Sequence, residues 1–371
     1  MIKAEIVAEI VGHSLSPQGD ELISVLCTFP RIILAEVNTH RMLSKNTSSS
    51  RAIPFKKMVE AVQNNPFIPI AWQKEHKGMQ GNEYITSDYD IAMAQTRWLR
   101  ARDEAINNAK ILNSEIIGIT KQLCNRLLEP FMWTTMLITG SREGWNNFFN
   151  LRCPVYYYAG NDKSYKSKKE LLPILLNDFG KSPADSFWYN INKGQAEIHI
   201  MDLAEKIYDA VNESTPKQLS PNEWHIPFSN KISFVGNLTE SINKDNTYWK
   251  DYDEQNKVKI STAMAARTSY TVVGGEKEID YRKMVELHDR LLSQDPPHSS
   301  PLEHCARAMD NKEYDTFVKG KITDRRGVYD FQNPYDYARE ESIFNRKKVG
   351  GWCNNLKGFI PYRYFIDNNL I

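Results

Sequence analysis

The chain has no apolar run of the ~18 residues or more that a membrane-crossing helix requires. Its amino terminus, MIKAEIVAEIVGHSLSP, lacks the basic region, apolar stretch and small-residue cleavage site of a secretory leader. A soluble, intracellular, cytoplasmic protein is expected. No charge of one sign dominates: 47 Lys+Arg stand against 46 Asp+Glu, a net charge of +1. That balance supplies no general attraction to nucleic acid or to an anionic membrane, so neither is expected as a partner, and any bound anion must be met by local arginines. Cysteine is sparse. The five thiols, Cys27, Cys124, Cys153, Cys305 and Cys353, are odd in number and scattered, with none paired at metal-ligand spacing. That pattern excludes a disulfide framework or a zinc site, and no metal is expected. Cys305 follows His304 directly, but neighbours in a helix point apart, so the two make a weak thiol–imidazole pair. Internal repeats and low-complexity tails are also missing.

What remains is a chain of 371 residues with 41% hydrophobic and 11% aromatic content, able to bury a substantial core. Residues 1–371 read as a single elaborated catalytic domain. Leu22–Val37 clusters β-branched and aromatic residues as a strand does. Asp90–Pro130 is filled with good helix formers and reads as one long or two consecutive helices, stopped near Pro130. A strand is predicted over Phe131–Thr139, then a turn at Gly140 and Ser141, with Ser141 as N-cap of a helix through Gly144–Arg152. From Cys153 to about Lys193 no period persists, which predicts an inserted surface excursion. In Gln195–Val211 the residues Ala196, Ile200, Leu203, Ala204, Ile207 and Val211 share one helical face, expected to be core. Further helices are predicted over Lys257–Tyr270 and Asp280–Gln294, the latter halted before Pro296 and Pro297.

Thr39–Arg51, THRMLSKNTSSSR, packs two arginines, a histidine and a run of Ser, Thr and Asn into a stretch with almost no apolar bulk. Taken alone, such a segment is an ordinary loop with solvated charges. As a ligand site, its guanidinium groups grip phosphate bidentately while hydroxyls and amides take the remaining acceptors. Ser49 has no Ser-His-Asp arrangement spelled out around it and is not read as a nucleophile.

Together with other segments, this stretch resembles the signature of the flavin-dependent thymidylate synthases. That signature runs Arg-His-Arg, two residues, Ser, one, Asn, two, Ser, one, Arg; His40, Arg41, Ser44, Asn46, Ser49 and Arg51 match it, and Thr39 replaces the first Arg. NRLLEP resembles the family's next helix end and puts Arg126 on its phosphate-binding arginine. GSR resembles the Asn-Ala-Arg turn, with Arg142 kept and Gly140 for Asn. Asn147-Phe-Phe-Asn-Leu-Arg152 is similar to the Asn-Phe-Leu-x-Leu-Arg block, and Gln195-Ala-Glu-Ile198 to the following helix. AARTSY (Ala265 to Tyr270) and SPLEHC (Ser300 to Cys305) resemble segments that precede the signature in the family, whereas here they follow it. The swapped order suggests a circular permutation, with 257–309 as the displaced segment; such a rearrangement is tolerated when the original termini lie close together on the surface.

The resemblance implies an α+β fold with a central, mostly antiparallel sheet flanked by long helices. It implies reductive methylation of dUMP at C5, with methylenetetrahydrofolate as carbon donor and FAD, reduced by NADPH, as hydride source. It also implies a homotetramer. By the same resemblance Arg152 activates the base, a role that suits a cation beside the uracil edge, where it stabilises the N3-deprotonated form. Glu36, Ser48, Ser49, Ser50, Arg51, Arg126 and Arg152 are then nucleotide-binding, while Thr39, His40, Arg41, Thr47, Arg142, Asn147 and His304 face the flavin. Three departures bear on the pocket: Thr39 lacks a guanidinium, Glu36 stands for a usual Gln, and Thr47 for a usual Glu. Glu36 could accept from an exocyclic amine, which opens dCMP as substrate and hydroxymethylation as outcome. A non-catalytic nucleotide- or RNA-binding scaffold is the remaining alternative.

Overall fold

The computed structural model describes residues 4–77, 81, 83–232, 249–270, 280–294, 298–318, 321–324, 327–330 and 355–370. The chain opens with β1 (Val7–Leu15) and β2 (Glu21–Pro30), an antiparallel hairpin. There follow α1 (Leu34–Asn38), β3 (Ser44–Thr47), α2 (Phe55–Asn64), α3 (Asp88–Leu112), α4 (Lys121–Cys124), a 3-10 turn over Asn125–Phe131, β4 (Trp133–Ser141) and α5 (Arg142–Arg152). A hairpin of β5 (Tyr156–Tyr158) and β6 (Lys163–Tyr165) leads through α6 (Lys168–Phe179) and α7 (Asp185–Ile191) to α8 (Ile198–Glu213). The remainder comprises β7 (Lys217–Gln218), β8 (Trp224–His225), α9 (Trp249–Arg267), α10 (Tyr281–Leu292), β9 (Ala306–Ala308), α11 (Asn311–Phe317), the pair β10 (Lys321–Asp324) and β11 (Gly327–Asp330), then β12 (Phe359–Pro361) and α12 (Tyr362–Asp367).

The main sheet has the order β3-β4-β2-β1-β7 and is antiparallel except where β7 joins β1. Mixed helix and sheet, with this arrangement at the centre, is the α+β architecture expected. β2 lies between β1 and β4 and is covered on both sides, which is why its sequence is a nearly continuous apolar run. Ile23, Val25, Cys27 and Phe29 pack with Met136 and Ile138 against α5 and α8. On the opposite face Val11 and Leu137 meet Ile260 and Ala263 of α9 and Met284 of α10. On α8 the residues Ile200, Leu203, Ala204, Ile207 and Val211 are fully buried, as their spacing predicts, and Ala196 packs against the same core.

The run Leu22–Val37 is not all strand. β2 ends at Pro30, opposite Trp133, and Arg31–Val37 turns through a 3-10 segment into α1. Ile33 and Val37, four apart, become a helical face on the α5/α8 core, so tertiary packing overrides β-propensity there. β4 likewise starts two residues later than predicted because Phe131 closes the preceding 3-10 turn. Residues 153–193 fold around their own small core of Tyr156, Leu171, Leu175 and Trp188. Among the described residues no helix is long and apolar enough to cross a membrane, and no group of His, Cys, Asp and Glu could hold a metal ion. Cys27, Cys124, Cys153 and Cys305 are buried free thiols; Cys353, Pro296 and Pro297 lie outside the described residues.

Candidate functional site

Helix α5 carries one cluster at its carboxyl end. Arg152 Nε donates to Nε2 of buried His40 at 3.0 Å, and Nη1 lies 3.5 Å from Glu36 Oε2. His40 packs edge-on against Phe148 one turn back on the same helix, with ring centroids 4.8 Å apart. Burial, then the cations of Arg152 and Lys45, lower the His40 pKa to about 4, so the imidazole is neutral and Nε2 acts as the acceptor. Burial, then Glu197, raises the Glu36 pKa against the opposing pull of Arg152. With Nε and Nη1 engaged, Nη2 of Arg152 has no hydrogen bond among the described residues. Exposed Thr39 donates its hydroxyl to the Glu36 carbonyl at 2.7 Å, closing α1.

A second cluster surrounds the serine run, where the chain leaves β3 beside the start of β4. Ser48 Oγ and Thr134 Oγ1 share a hydrogen bond of 2.7 Å, and Thr47 Oγ1 lies 3.3 Å from the same Thr134 hydroxyl. Ser50 Oγ donates to Glu129 at 2.6 Å. Asn125, buried, donates from Nδ2 to the Ser50 and Ile53 carbonyls. Arg31 ties the cluster together: Nη1 donates to the Ser48 carbonyl at 2.7 Å and Nη2 faces Glu129 at 3.4 Å. Burial lowers the Arg31 pKa, Glu129 opposes that shift, and Arg126 adds to it, which places Arg126 within electrostatic range. Exposed Arg51 and Arg126 have no hydrogen bond or ion pair among the described residues. Of the three arginines predicted to bind nucleotide, Arg152 thus sits with His40 and Glu36, and Arg51 and Arg126 belong to the serine run and the turn that holds it.

Arg142 stands at the opposite end of α5. Nε and Nη2 both donate to Glu21 Oε2, at 2.8 and 2.5 Å, and Glu21 also meets His13. Ser141 caps the helix by accepting from the Gly144 amide, so α5 begins at Arg142 and not at Gly144. Asn147 is exposed on this helix. A Cβ on Gly140 would lie 2.4 Å from Leu43 Cδ2, the free end of a flexible side chain in the signature segment.

The segments AARTSY and SPLEHC, distant in sequence, dock on the signature. The Ser49 amide donates to the Ser269 carbonyl at 3.0 Å, Asn46 Nδ2 donates to the Ala265 carbonyl, and Ser300 Oγ donates to Asn46 Oδ1 at 3.0 Å. His304 Nδ1 shares a hydrogen bond of 2.9 Å with Thr139 Oγ1, and its Nε2 is buried with no partner among the described residues. Cys305 bonds separately to Ser261 at 3.2 Å, and burial raises its pKa to about 11, so it is an inert core thiol. Nearby, a cleft of about 650 Å³ is lined by Arg41, Ser44 and Lys45 of the signature, by Glu303, and by Asn355 and Arg363 of the carboxyl-terminal segment. Lys45 donates to the His40 carbonyl, and Arg363 is ion-paired with Glu303 and Asp367. Arg31, Glu129 and Arg363 escaped the sequence reading: Arg31 is embedded in an apolar run, and the last sixty residues matched no motif.

No family model matches this chain. A stretch of 130 residues, 34% of the chain, is 28% identical to part of a DNA ligase of Aliarcobacter butzleri, and the match spans 18% of that protein. Among solved structures, the chain is similar to a UMP/dUMP methylase, PolB, from Streptomyces cacaoi bound with 5-Br dUMP: 14% identity, 57% of this chain and 92% of that one, TM-score 0.39. It is also similar to Thymidylate Synthase X from Helicobacter pylori with FAD and dUMP: 17% identity, 51% of this chain and 67% of that one, TM-score 0.27.

Proposed function

We propose that this protein is a flavin-dependent methylase that transfers a one-carbon unit to C5 of dUMP, with methylenetetrahydrofolate as carbon donor and FAD reduced by NADPH as hydride source. The observation that carries the reading is the meeting of three remote segments: Ser49 with Ser269, and Asn46 with both Ala265 and Ser300. Each segment resembles a different part of one family's site, and their convergence in space despite the altered order is what a circular permutation requires.

The residues present fit a flavin: Arg41 lines the cleft, and His304 offers a buried nitrogen that no group among the described residues satisfies. Thr39, Thr47, Arg142 and Asn147 are the further flavin-facing residues of this reading. When bound, the flavin supplies the hydride chemistry. The chain supplies binding and charge. Arg51 and Arg126, without a hydrogen bond or ion pair among the described residues, meet the nucleotide phosphate with Ser48, Ser49 and Ser50 around it. Arg152, fixed through Nε by neutral His40, turns Nη2 toward the pyrimidine edge and stabilises the anionic form of the ring. A site completed between subunits, in a homotetramer, belongs to this reading through the resemblance alone.

One observation favours a second reading. Glu36, its pKa raised and its carboxylate close to Arg152, suits an exocyclic amine, as in dCMP. Incubating purified protein with dUMP or dCMP, methylenetetrahydrofolate, NADPH and FAD, then weighing the product, separates the readings. A gain of one methyl on dUMP supports the first, a methylated or hydroxymethylated dCMP the second, and unchanged nucleotide opposes both.

A further inference from the structure

A line of hydrogen bonds runs through the layer between the main sheet and the carboxyl-terminal half. Ser14 Oγ of β1 meets His225 Nδ1 of β8 at 2.8 Å, and His225 Nε2 meets Ser24 Oγ of β2 at 2.8 Å. Ser24 Oγ meets Thr139 Oγ1 of β4, directly opposite it in register, at 2.6 Å, and Thr139 Oγ1 meets His304 Nδ1 at 2.9 Å. All five side chains are buried. The line stops at His304 Nε2, which is buried and without a partner among the described residues.

A hydroxyl carries one hydrogen and a neutral imidazole one N–H. Burial drives the pKa of both His225 and His304 to about 3, so both rings are neutral. With one hydrogen per link, the line can point only two ways. Directed toward Ser14, His304 donates from Nδ1 and leaves Nε2 as a bare acceptor. Directed toward His304, Thr139 donates to Nδ1 and Nε2 carries the hydrogen. Reversing any one link forces the others to reverse, so the character of Nε2 is tied to groups that lie two and three bonds away. A buried, unpaired nitrogen is rare in folded proteins and calls for an explanation, and a ligand atom is one. Glu303, preceding His304, and Ser44, opposite Thr139 on the neighbouring strand, both line the cleft, whereas His304 itself does not.

We infer that Thr139, Ser24 and His225 are positioning residues that fix the His304 ring and set whether its Nε2 donates to, or accepts from, a polar atom that a ligand brings beside it. The identity of that ligand as flavin rests on the proposed function; the hydrogen-bonded line does not.

The test uses full-length protein with 15N-labelled histidine. Two-bond proton–nitrogen spectra of the wild type are expected to show one His304 tautomer. Ser24→Ala, which never touches the ring, is expected to shift both His304 nitrogens toward the tautomer average. Thr139→Val is expected to do the same and Thr139→Ser to preserve the wild-type pattern. In parallel, the Kd for FAD is expected to rise about fivefold in Thr139→Val and in Ser24→Ala, the loss of one hydrogen bond, and to recover in Thr139→Ser. His304 nitrogens indifferent to Ser24→Ala would overturn the line as a setting device, and an unchanged FAD Kd in Thr139→Val would overturn its link to the ligand. If the wild type binds no FAD, the functional reading and the ligand half fail together, while the Ser24→Ala spectra still decide the hydrogen-bonded line.

Discussion

Arg31 and His40 are single side chains that hold neighbouring groups of the proposed site in place. Arg31 holds the Ser48 carbonyl and faces Glu129, so the serine run has a fixed backbone from which its hydroxyls project. Arg31→Ala leaves that carbonyl and Glu129 without their cation. The expected result is a loss of about 1–3 kcal/mol in urea unfolding and a roughly tenfold weaker dUMP Kd by calorimetry. His40 makes a prediction in pH. Its pKa is about 4 in the fold against an ordinary 6.5, so between those values the unfolded chain binds a proton that the folded chain refuses. The stability it contributes is complete above 6.5 and is lost as pH falls through about 4. His40→Gln is expected to flatten the slope of unfolding free energy against pH in that window by up to one proton, measured by denaturant titrations at several pH values. His225 and His304 act with the same sign, their windows extending to about 3. The sequence displayed His40 through its motif. It concealed Arg31, because a cation inside an apolar run is indistinguishable from a strand residue until Pro30 is seen to end the strand.

Helix α5 is the element on which the proposed site depends, since it carries Arg142, Asn147 and Arg152. Its start was legible: Ser141 caps it, and Ser141→Ala is expected to cost about 1 kcal/mol in equilibrium unfolding. A change below ~0.3 kcal/mol would show the cap to be idle. The α8 face was equally legible, because a 3.6-residue repeat of aliphatic residues has one stable use, which is burial. Less legible was the segment after β2. Its β-branched residues read as strand, yet Ile33 and Val37 pack as a helical stripe on the α5/α8 core. Local propensity differs between those alternatives by less than a buried aliphatic pair contributes. The cleft wall from Asn355 to Arg363 was not legible either, since a wall is defined by what faces it from elsewhere in the chain.

At the scale of the whole molecule, the order of segments and their positions in space have come apart. The signature, AARTSY and SPLEHC are out of the order that the resemblance leads one to expect, yet backbone and side-chain hydrogen bonds join them around β3. Sequence motifs identified the parts; only the β3 contacts show that they are neighbours. In the proposed function these parts hold a pyrimidine nucleotide against a flavin. It is tested most directly by adding FAD to the purified protein, removing the excess, and titrating dUMP while recording the flavin absorbance. The expected result is a retained flavin band that shifts saturably with dUMP and fails to respond in Arg152→Ala. A colourless protein, or a band indifferent to nucleotide, would contradict it.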